Sequence, residues 1–238
     1  IHATMRRHEA AQHVDAVVTG EDETIWPQLL ADFGRGALQP LYEGGQEDLR
    51  RSRPARHDLL SGEYSFGSIQ TTRGCPLNCS FCSVSAFNGR TYRHRSIQDV
   101  IADLQLIREK RILIVDDNLI GISKKHVART KELLRAMIAA DLGKTWICQA
   151  TINMADDDEL LELARRTGCI GVFIGFEPEP GEVAHGHLLD PPDLRVAHHE
   201  GVSAEAAAVA AAQHGAAGWH QGLALFRLTR NLQIRVHA

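Results

Sequence analysis

From residue 64 onward the chain alternates between short apolar runs and longer segments of helical periodicity. Four apolar runs predict strands, at 64–70, 112–115, 145–151 and 170–176. Between them, apolar residues recur every three or four positions and predict helices, at 96–110, 123–140 and 156–166. Because apolar strands that alternate with amphipathic helices form a parallel sheet covered by helices, we predict an α/β barrel or part of one.

The residues before this region have a shorter pattern of the same kind. Residues 15–19 predict a strand, and the segment from Thr24 to Phe33 predicts a helix with its apolar residues on one side. Residues 37–63 contain Pro, Gly and a polar run with little periodicity, which predicts a linker between domains. We therefore divide this part into an N-terminal segment, 1–36, a linker, 37–63, and a barrel region, 64–177.

Beyond residue 177 the apolar periodicity is lost. Residues 178–238 are rich in alanine and hold seven of the 13 histidines of the chain. We expect a poorly packed tail, because a helix formed by alanine propensity alone has almost no apolar stripe to dock. The abrupt change suggests the hypothesis that this segment comes from a shifted reading frame. A second metal site built from its histidines is disfavoured, because neighbouring pairs lack the i, i+4 spacing of a helical site.

Composition excludes some classes of partner. The chain has 238 residues, 44% of them apolar, a net charge of −4 and a pI near 6.4. This balance gives no argument for nucleic acid or an anionic membrane as a partner. Neither an apolar run of membrane-spanning length nor a signal peptide is visible in the sequence, so a soluble, cytoplasmic protein is expected.

The five cysteines carry the most specific chemistry. Cys75, Cys79 and Cys82 have the spacing C-x3-C-x2-C, whereas Cys148 falls inside a predicted strand and Cys169 stands at the start of another. Clustered thiols in a reducing compartment indicate a metal site rather than disulfides, and thiolates suit iron–sulfur clusters or zinc. A four-iron cluster on three thiolates leaves one iron without a protein ligand, and an open metal position is typical of chemistry rather than of structural support.

The sequence Arg-Gly-Cys-Pro-Leu-Asn-Cys-Ser-Phe-Cys, at 73–82, follows the first strand of the barrel region and resembles the signature of the radical S-adenosylmethionine (SAM) superfamily. The resemblance implies an incomplete parallel (β/α) barrel and a [4Fe–4S] cluster on Cys75, Cys79 and Cys82. It also implies that SAM binds the open iron and is cleaved reductively to a 5′-deoxyadenosyl radical, which abstracts hydrogen from a small-molecule substrate. The electron would come from a donor such as flavodoxin or ferredoxin.

The same resemblance implies cofactor-binding residues at the strand ends. Phe81 would pack near the cluster or the adenine, with ordinary core packing as the alternative. Asp116 and Asp117 stand where many relatives have a Gly-Gly-Glu-like motif for the SAM amino group, with a turn capped by Asp117 or Asn118 as the alternative. At the third strand Gln149 or Thr151 would face the site, because alternate residues of a strand point the same way. Glu177 could bind the ribose hydroxyls or the amino group of SAM, with a structural ion pair as the alternative. No catalytic residue is assigned.

The paired aspartates and the Gly-Phe-Glu at 175–177 look like the cobalamin-associated branch of the superfamily. Residues 1–36 then resemble the C-terminal remnant of a Rossmann-like, cobalamin-binding domain, and the reaction implied is methyl transfer to an unreactive carbon or a related C–H functionalisation. The Asp-x-His-x-x-Gly cobalt-ligand motif is absent from this sequence, so cobalamin is implied only for the full-length protein.

Three alternatives stay open at this point. The cysteines could hold zinc with His94 as a fourth ligand, although the paired C-x2-C knuckles typical of zinc sites are absent. The chain could be a non-catalytic iron–sulfur or zinc module, or an inactive fragment. Arg90, Arg93 and Arg95 could bind the SAM carboxylate or an anionic substrate, or form a solvated face.

Overall fold

The computed structural model describes residues 1–77, 79, 82–176, 222–228 and 234–236. The strands, in chain order, are β1 (Val17–Thr19), β2 (Leu41–Glu43), β3 (Gly67–Ile69), β4 (Thr72–Arg73), β5 (Arg93–His94), β6 (Arg111–Ile114), β7 (Thr145–Ala150), β8 (Cys169–Phe176), β9 (Gly222–Leu228) and β10 (Ile234–Val236). The α-helices are α1 (His2–Met5), α2 (Arg7–Ala10), α3 (Trp26–Gly34), α4 (Val84–Phe87), α5 (Ile97–Leu106), α6 (Lys124–Ala139) and α7 (Asp158–Arg166).

The chain divides into two compact units that differ from the predicted domains. The first unit joins Ile1–Pro54 to Thr72–Ser96, and the second joins Ala55–Thr71 to Ile97–Ala238. The cysteine loop, predicted as part of the barrel region, therefore belongs to the same compact unit as the N-terminal residues. Sequence order could not show this, because the grouping depends on contacts between segments some 50 residues apart.

The sheet of the second unit has the winding of a barrel. Its strand order is β10-β9-β8-β7-β6-β3, in which β3, β6, β7 and β8 are parallel neighbours in chain order. Right-handed crossovers that advance in one direction place their helices on the same face of the sheet. The predicted incomplete parallel (β/α) barrel is confirmed: the sheet is open, with β3 and β10 at its edges.

Strands β9 and β10 are antiparallel to their neighbours and were not predicted. They lie within the alanine- and histidine-rich segment, and the rest of that segment lies outside the described residues. The prediction of a poorly packed tail therefore stays a prediction.

Helices cover one face of the sheet. The strand residues on that face are buried: Ile69, Ile112, Ile114, Trp146, Cys148, Ala150, Val172 and Ile174. They pack in one core with the apolar stripes of the helices, among them Leu104 of α5, Leu134 of α6 and Leu160 of α7. Burial of each such aliphatic side chain contributes about 1.5–3 kcal/mol. On the opposite face Ser68, Val115 and Gln149 are exposed, so an open surface runs across the parallel strands.

Two of the predicted helices in the second unit, α6 and α7, begin at a residue whose side chain caps the helix. The Ser123 hydroxyl accepts from the His126 amide at 3.2 Å, and the Asp157 carboxylate accepts from the Leu160 amide at 3.0 Å. Lys131, on α6, places its ammonium 2.8 Å from carboxylate oxygens of both Asp157 and Glu159. The cap of α7 is therefore also an ion-pair contact between two neighbouring helices.

The first unit holds a small β-α-β arrangement. Strands β1 and β2 are parallel, with Val17 opposite Leu41, and α3 connects them. Strand β2 falls within the predicted linker. It was missed because only one of its three residues, Tyr42, is buried, and a single buried position produces no periodicity.

The apolar side of α3 is turned away from the described core of its unit. Trp26, Leu30 and Phe33 are all at least half exposed, whereas Asp32 is buried and accepts from the Tyr42 hydroxyl at 3.0 Å. The helix was predicted correctly, but the expectation that its apolar stripe would be the buried one was wrong for these three residues.

In the described part of the chain, no helix combines the length and the apolar character needed to cross a bilayer.

Candidate cofactor site

The loop that carries the three cysteines is closed at its base by a short antiparallel ladder. In this ladder Thr72 is opposite His94 and Arg73 is opposite Arg93. Gly74 follows with φ of +86°, and a Cβ at this position would lie 2.2 Å from the carbonyl oxygen of Thr91. Only glycine fits here without strain, because the two limbs of the loop approach each other at backbone contact distance.

None of the three cysteines of the loop forms a disulfide, and all three are partly exposed. The amide of Cys82 donates to the carbonyl of Cys79 at 3.2 Å. Three partly exposed cysteines on one loop with a constrained base fit the donor set of an iron–sulfur cluster. Among the residues that the structure describes, no three His, Cys, Asp or Glu side chains already stand together as a metal site.

The other two cysteines are poor metal ligands. Cys148 and Cys169 are buried in β7 and β8. Desolvation raises the pKa of Cys148 well above its usual range, with the nearby Cys169 and Asp116 adding to the effect, and desolvation raises the pKa of Cys169 to about 12. Because the thiolate is the ligand form, these environments oppose metal binding. The sequence prediction that neither residue supplies a fourth ligand is consistent with this burial.

A buried carboxylate forms ion pairs with both strands at the base of the loop, β4 and β5. Glu21, whose side chain is only 4% exposed, accepts from Arg73 Nη1 at 3.1 Å and from Arg93 Nη1 at 2.9 Å, and Arg93 Nη2 bonds its other oxygen. The amide of Glu47 donates to the same carboxylate at 2.8 Å. Arg73 also pairs with Glu23 at 2.5 Å. We call Glu21, Arg73 and Arg93 the loop clamp.

Electrostatics favour the charged form of the clamp. Burial by itself raises the pKa of Glu21, but hydrogen bonds from Arg93 and from the Glu47 amide, with the charges of Arg93 and Arg73, outweigh it and leave the pKa below its usual value. For Arg93 neither sequence-based alternative is correct, since it forms an internal ion pair. Arg95 is buried and Arg90 is exposed, so the three arginines do not share a solvated face.

Sequence reasoning missed Glu21 and Arg73, and it named Arg93 for a different role. Arg73 and Arg93 flank the cysteine loop, which is a weak signal in itself. Nothing in the sequence links them to Glu21, which is 52 and 72 residues away.

Of the residues predicted at the strand ends, Asp116 is the most firmly placed. Its side chain is 0% exposed, and its two oxygens accept from the main-chain amide and from the hydroxyl of Thr71, each at 2.5 Å. This arrangement favours a structural role for Asp116 over binding of the SAM amino group. Asn118 caps the following turn by accepting from the amides of Ile120 and Gly121, as the capped-turn alternative proposed.

Asp117 and Gln149 lie at the carboxyl ends of β6 and β7. Asp117 is partly exposed and Gln149 is exposed, and the two segments are joined by a bond from the Leu119 amide to the Gln149 carbonyl at 3.0 Å. Working groups of β/α barrels sit at this end of the strands. Phe81 and Glu177, the other two predicted cofactor contacts, lie outside the described residues.

Comparison with known proteins decides the family. Residues 69–178 match the family model described as the radical SAM superfamily. This segment is a radical SAM domain. The match confirms the predicted family and its cofactor pair, a [4Fe–4S] cluster and SAM, and it favours this interpretation over a zinc module.

The relatives of the radical SAM domain include named methyltransferases. The chain is 32% identical to the bacteriochlorophyllide d C-12(1)-methyltransferase of Chlorobaculum tepidum over 190 residues, 74% of this chain and 40% of that protein. It is also 32% identical to the hopanoid C-2 methylase of Rhodopseudomonas palustris over 132 residues, 53% of this chain and 25% of that protein. The chain thus spans less than half the length of these relatives.

A solved structure is also similar. It is the radical SAM methyltransferase TsrM from Kitasatospora setae with cobalamin and a [4Fe–4S] cluster bound, at 22% identity and a TM-score of 0.42, covering 47% of this chain and 21% of that one.

Proposed function

We propose that this chain carries the cluster-binding half of a radical SAM methyltransferase. Cys75, Cys79 and Cys82 hold a [4Fe–4S] cluster, which when bound supplies the electron that cleaves SAM. The observation that carries the proposal is the contrast between the cysteines. Three cysteines outside any disulfide are partly exposed on one loop with a fixed base, while the other two are buried with raised pKa values.

The chain's own residues contribute binding and orientation. The close approach of Gly74 to Thr91 and the loop clamp fix the two ends of the loop that carries the thiols. Asp117 and Gln149 are the described groups that we assign to SAM, because a carboxylate accepts from an ammonium and an amide both donates and accepts. Phe81 and Glu177 remain proposed cofactor contacts on the strength of the motif alone.

The substrate class follows from the relatives. One relative is named as a bacteriochlorophyllide d methyltransferase and the other as a hopanoid methylase, so we propose a small-molecule substrate methylated at an unreactive carbon. Cobalamin in the complete protein, an electron donor such as flavodoxin or ferredoxin, and a cytoplasmic location complete the proposal. The N-terminal segment is proposed to be the end of the cobalamin-binding domain, as its parallel β1-α3-β2 unit suggests.

The test is anaerobic reconstitution with iron and sulfide, followed by EPR of the reduced protein with and without SAM. Wild type is compared with Cys79→Ser, and Cys169→Ser is the matched control because its thiol is buried away from solvent. We expect a [4Fe–4S] signal that changes on SAM addition, is lost in Cys79→Ser and persists in Cys169→Ser. Tightly bound zinc with no cluster would instead support the non-catalytic module, and a cluster indifferent to SAM would overturn the enzymatic proposal.

A further inference from the structure

The base of the cysteine loop is stabilised by more than its ladder of two residue pairs. Strands β4 and β5 together form only two residue pairs. Two-stranded ladders are at best marginally stable in water. The additional support comes from the loop clamp, in which one carboxylate binds an arginine from each limb.

The geometry at Glu21 is built by close backbone packing. Gly20 has φ of +74°, and a Cβ there would lie 2.4 Å from the carbonyl oxygen of Gly44. A Cβ on Gly44 would lie 1.9 Å from the carbonyl oxygen of Glu21. The segments that follow β1 and β2 therefore run side by side in backbone contact. This contact brings the Glu21 carboxylate and the Glu47 amide together, and the amide donates to the carboxylate at 2.8 Å.

The clamp also reaches the far side of the cysteine loop. Arg93 Nη2 donates to the Asn88 carbonyl at 3.2 Å, and Arg93 Nη1 donates to the Glu47 carbonyl at 2.7 Å. Gln46 donates to the same Asn88 carbonyl at 3.4 Å. The segment that returns from the last cysteine is thus bound to a guanidinium whose orientation is set by Glu21.

From these contacts we infer that Glu21 is a positioning residue for the iron–sulfur cluster. It acts through Arg73 and Arg93 by holding the two sides of the loop base at the separation at which three thiolates can reach one cluster. A planar guanidinium and a carboxylate suit this task, because the bidentate pair fixes orientation as well as distance. The inference rests on the proposed cluster function.

Two substitutions test it in the 238-residue chain. Glu21→Gln keeps the shape and removes the charge. Glu47→Gln is the matched control, because the Glu47 side chain accepts from the exposed Thr24 hydroxyl whereas its backbone amide and carbonyl serve the clamp. Arg93→Lys is the second variant, which keeps the positive charge and loses the two-pronged geometry.

Two readouts are measured on each. Hydrogen exchange reports protection of the loop at 74–77 and 82–92, with β1 and β2 as the internal measure of whether the first unit is folded. Iron content after reconstitution, and the rate of iron loss to a chelator, report cluster retention. We expect Glu21→Gln and Arg93→Lys to lose loop protection and to release iron at least tenfold faster than wild type, with β1 and β2 still protected. Glu47→Gln should match wild type.

Equal iron retention in wild type and Arg93→Lys would overturn the inference, whatever the fate of Glu21→Gln. Loss of β1 and β2 protection together with the loop in both variants would also overturn it, because the clamp would then serve only the fold. If wild type itself takes up no cluster, the proposed function fails, and the exchange data alone decide whether Glu21 orders the loop.

Discussion

Asp116 binds Thr71 twice, accepting from its main-chain amide and from its hydroxyl at 2.5 Å each. The residues are 45 positions apart, and both are buried. Thr71 follows β3, so this contact fixes the segment after β3 against the segment after β6, both within the second unit. A residue that sequence alone assigned to SAM thereby acquires a structural role.

Replacing Asp116 by Ala should destabilise the second unit strongly. The change leaves the buried Thr71 amide without its acceptor, and the loss of a charge-assisted bond and the orphaned donor together cost about 3 kcal/mol. Asp117→Ala, at a partly exposed neighbour, should cost about 1 kcal/mol or less. Urea unfolding followed by circular dichroism measures both, and equal losses would contradict the structural role of Asp116.

Asp117 rather than Asp116 should then control cofactor affinity. With the cluster in place, we expect Asp117→Asn to weaken SAM binding about tenfold, since an amide replaces the carboxylate that would accept from the SAM ammonium. SAM titration monitored by EPR measures this. Unchanged affinity in Asp117→Asn would remove the residue from the proposed site.

Gly74→Ala should disrupt the cysteine loop. Its φ of +86° is unfavourable for alanine by about 1–2 kcal/mol, and the added methyl would meet the Thr91 carbonyl at 2.2 Å. Gly62→Ala is the matched control, because Gly62 has φ of +108° but nothing within 4 Å of the Cβ position. Iron uptake should fall in Gly74→Ala and persist in Gly62→Ala. A similar fall in both would show that strain, rather than the close approach of the limbs, is responsible.

The buried thiol of Cys169 should make the free energy of unfolding depend on pH in the alkaline range. The pKa of Cys169 is raised to about 12 in the folded chain from 9.0, so the folded state keeps its proton while the unfolded state loses it. The free energy of unfolding should therefore be unaffected by this group below pH 9 and fall between pH 9 and 12, by at most about 1.4 kcal/mol per pH unit. Unfolding of wild type and Cys169→Ala at pH 8, 9.5 and 11 isolates its share. Parallel pH profiles for the two proteins would contradict it.

Removing the Asp157 cap, which also pairs with Lys131 of α6, should lower the free energy of unfolding. Asp157→Ala removes the acceptor for the Leu160 amide and one partner of Lys131, and we expect a loss of about 1–2 kcal/mol. Asp158→Ala, one position into the helix, serves as the control and should cost less. Urea unfolding compares them, and an equal cost for both variants would mean that the cap contributes nothing beyond the charge at the start of the helix.

The sequence by itself determined the chemistry and the kind of fold. The C-x3-C-x2-C spacing is local, and strand and helix periods are written in neighbouring residues, so the parallel strands β3, β6, β7 and β8 and the three helices between them were predicted close to where they lie. The capping residue Ser123 was predicted for the same reason.

The tertiary structure decided which polar groups meet. The partners of Arg73 and Arg93, the burial of Asp116 on Thr71, and the exposure of the apolar side of α3 all depend on segments far apart in the chain. The short strand β2 and the antiparallel strands β9 and β10 likewise acquire their structure from a neighbour rather than from their own periodicity. A carboxylate predicts that a partner exists, because burying its charge alone is costly, but only the folded chain supplies the partner.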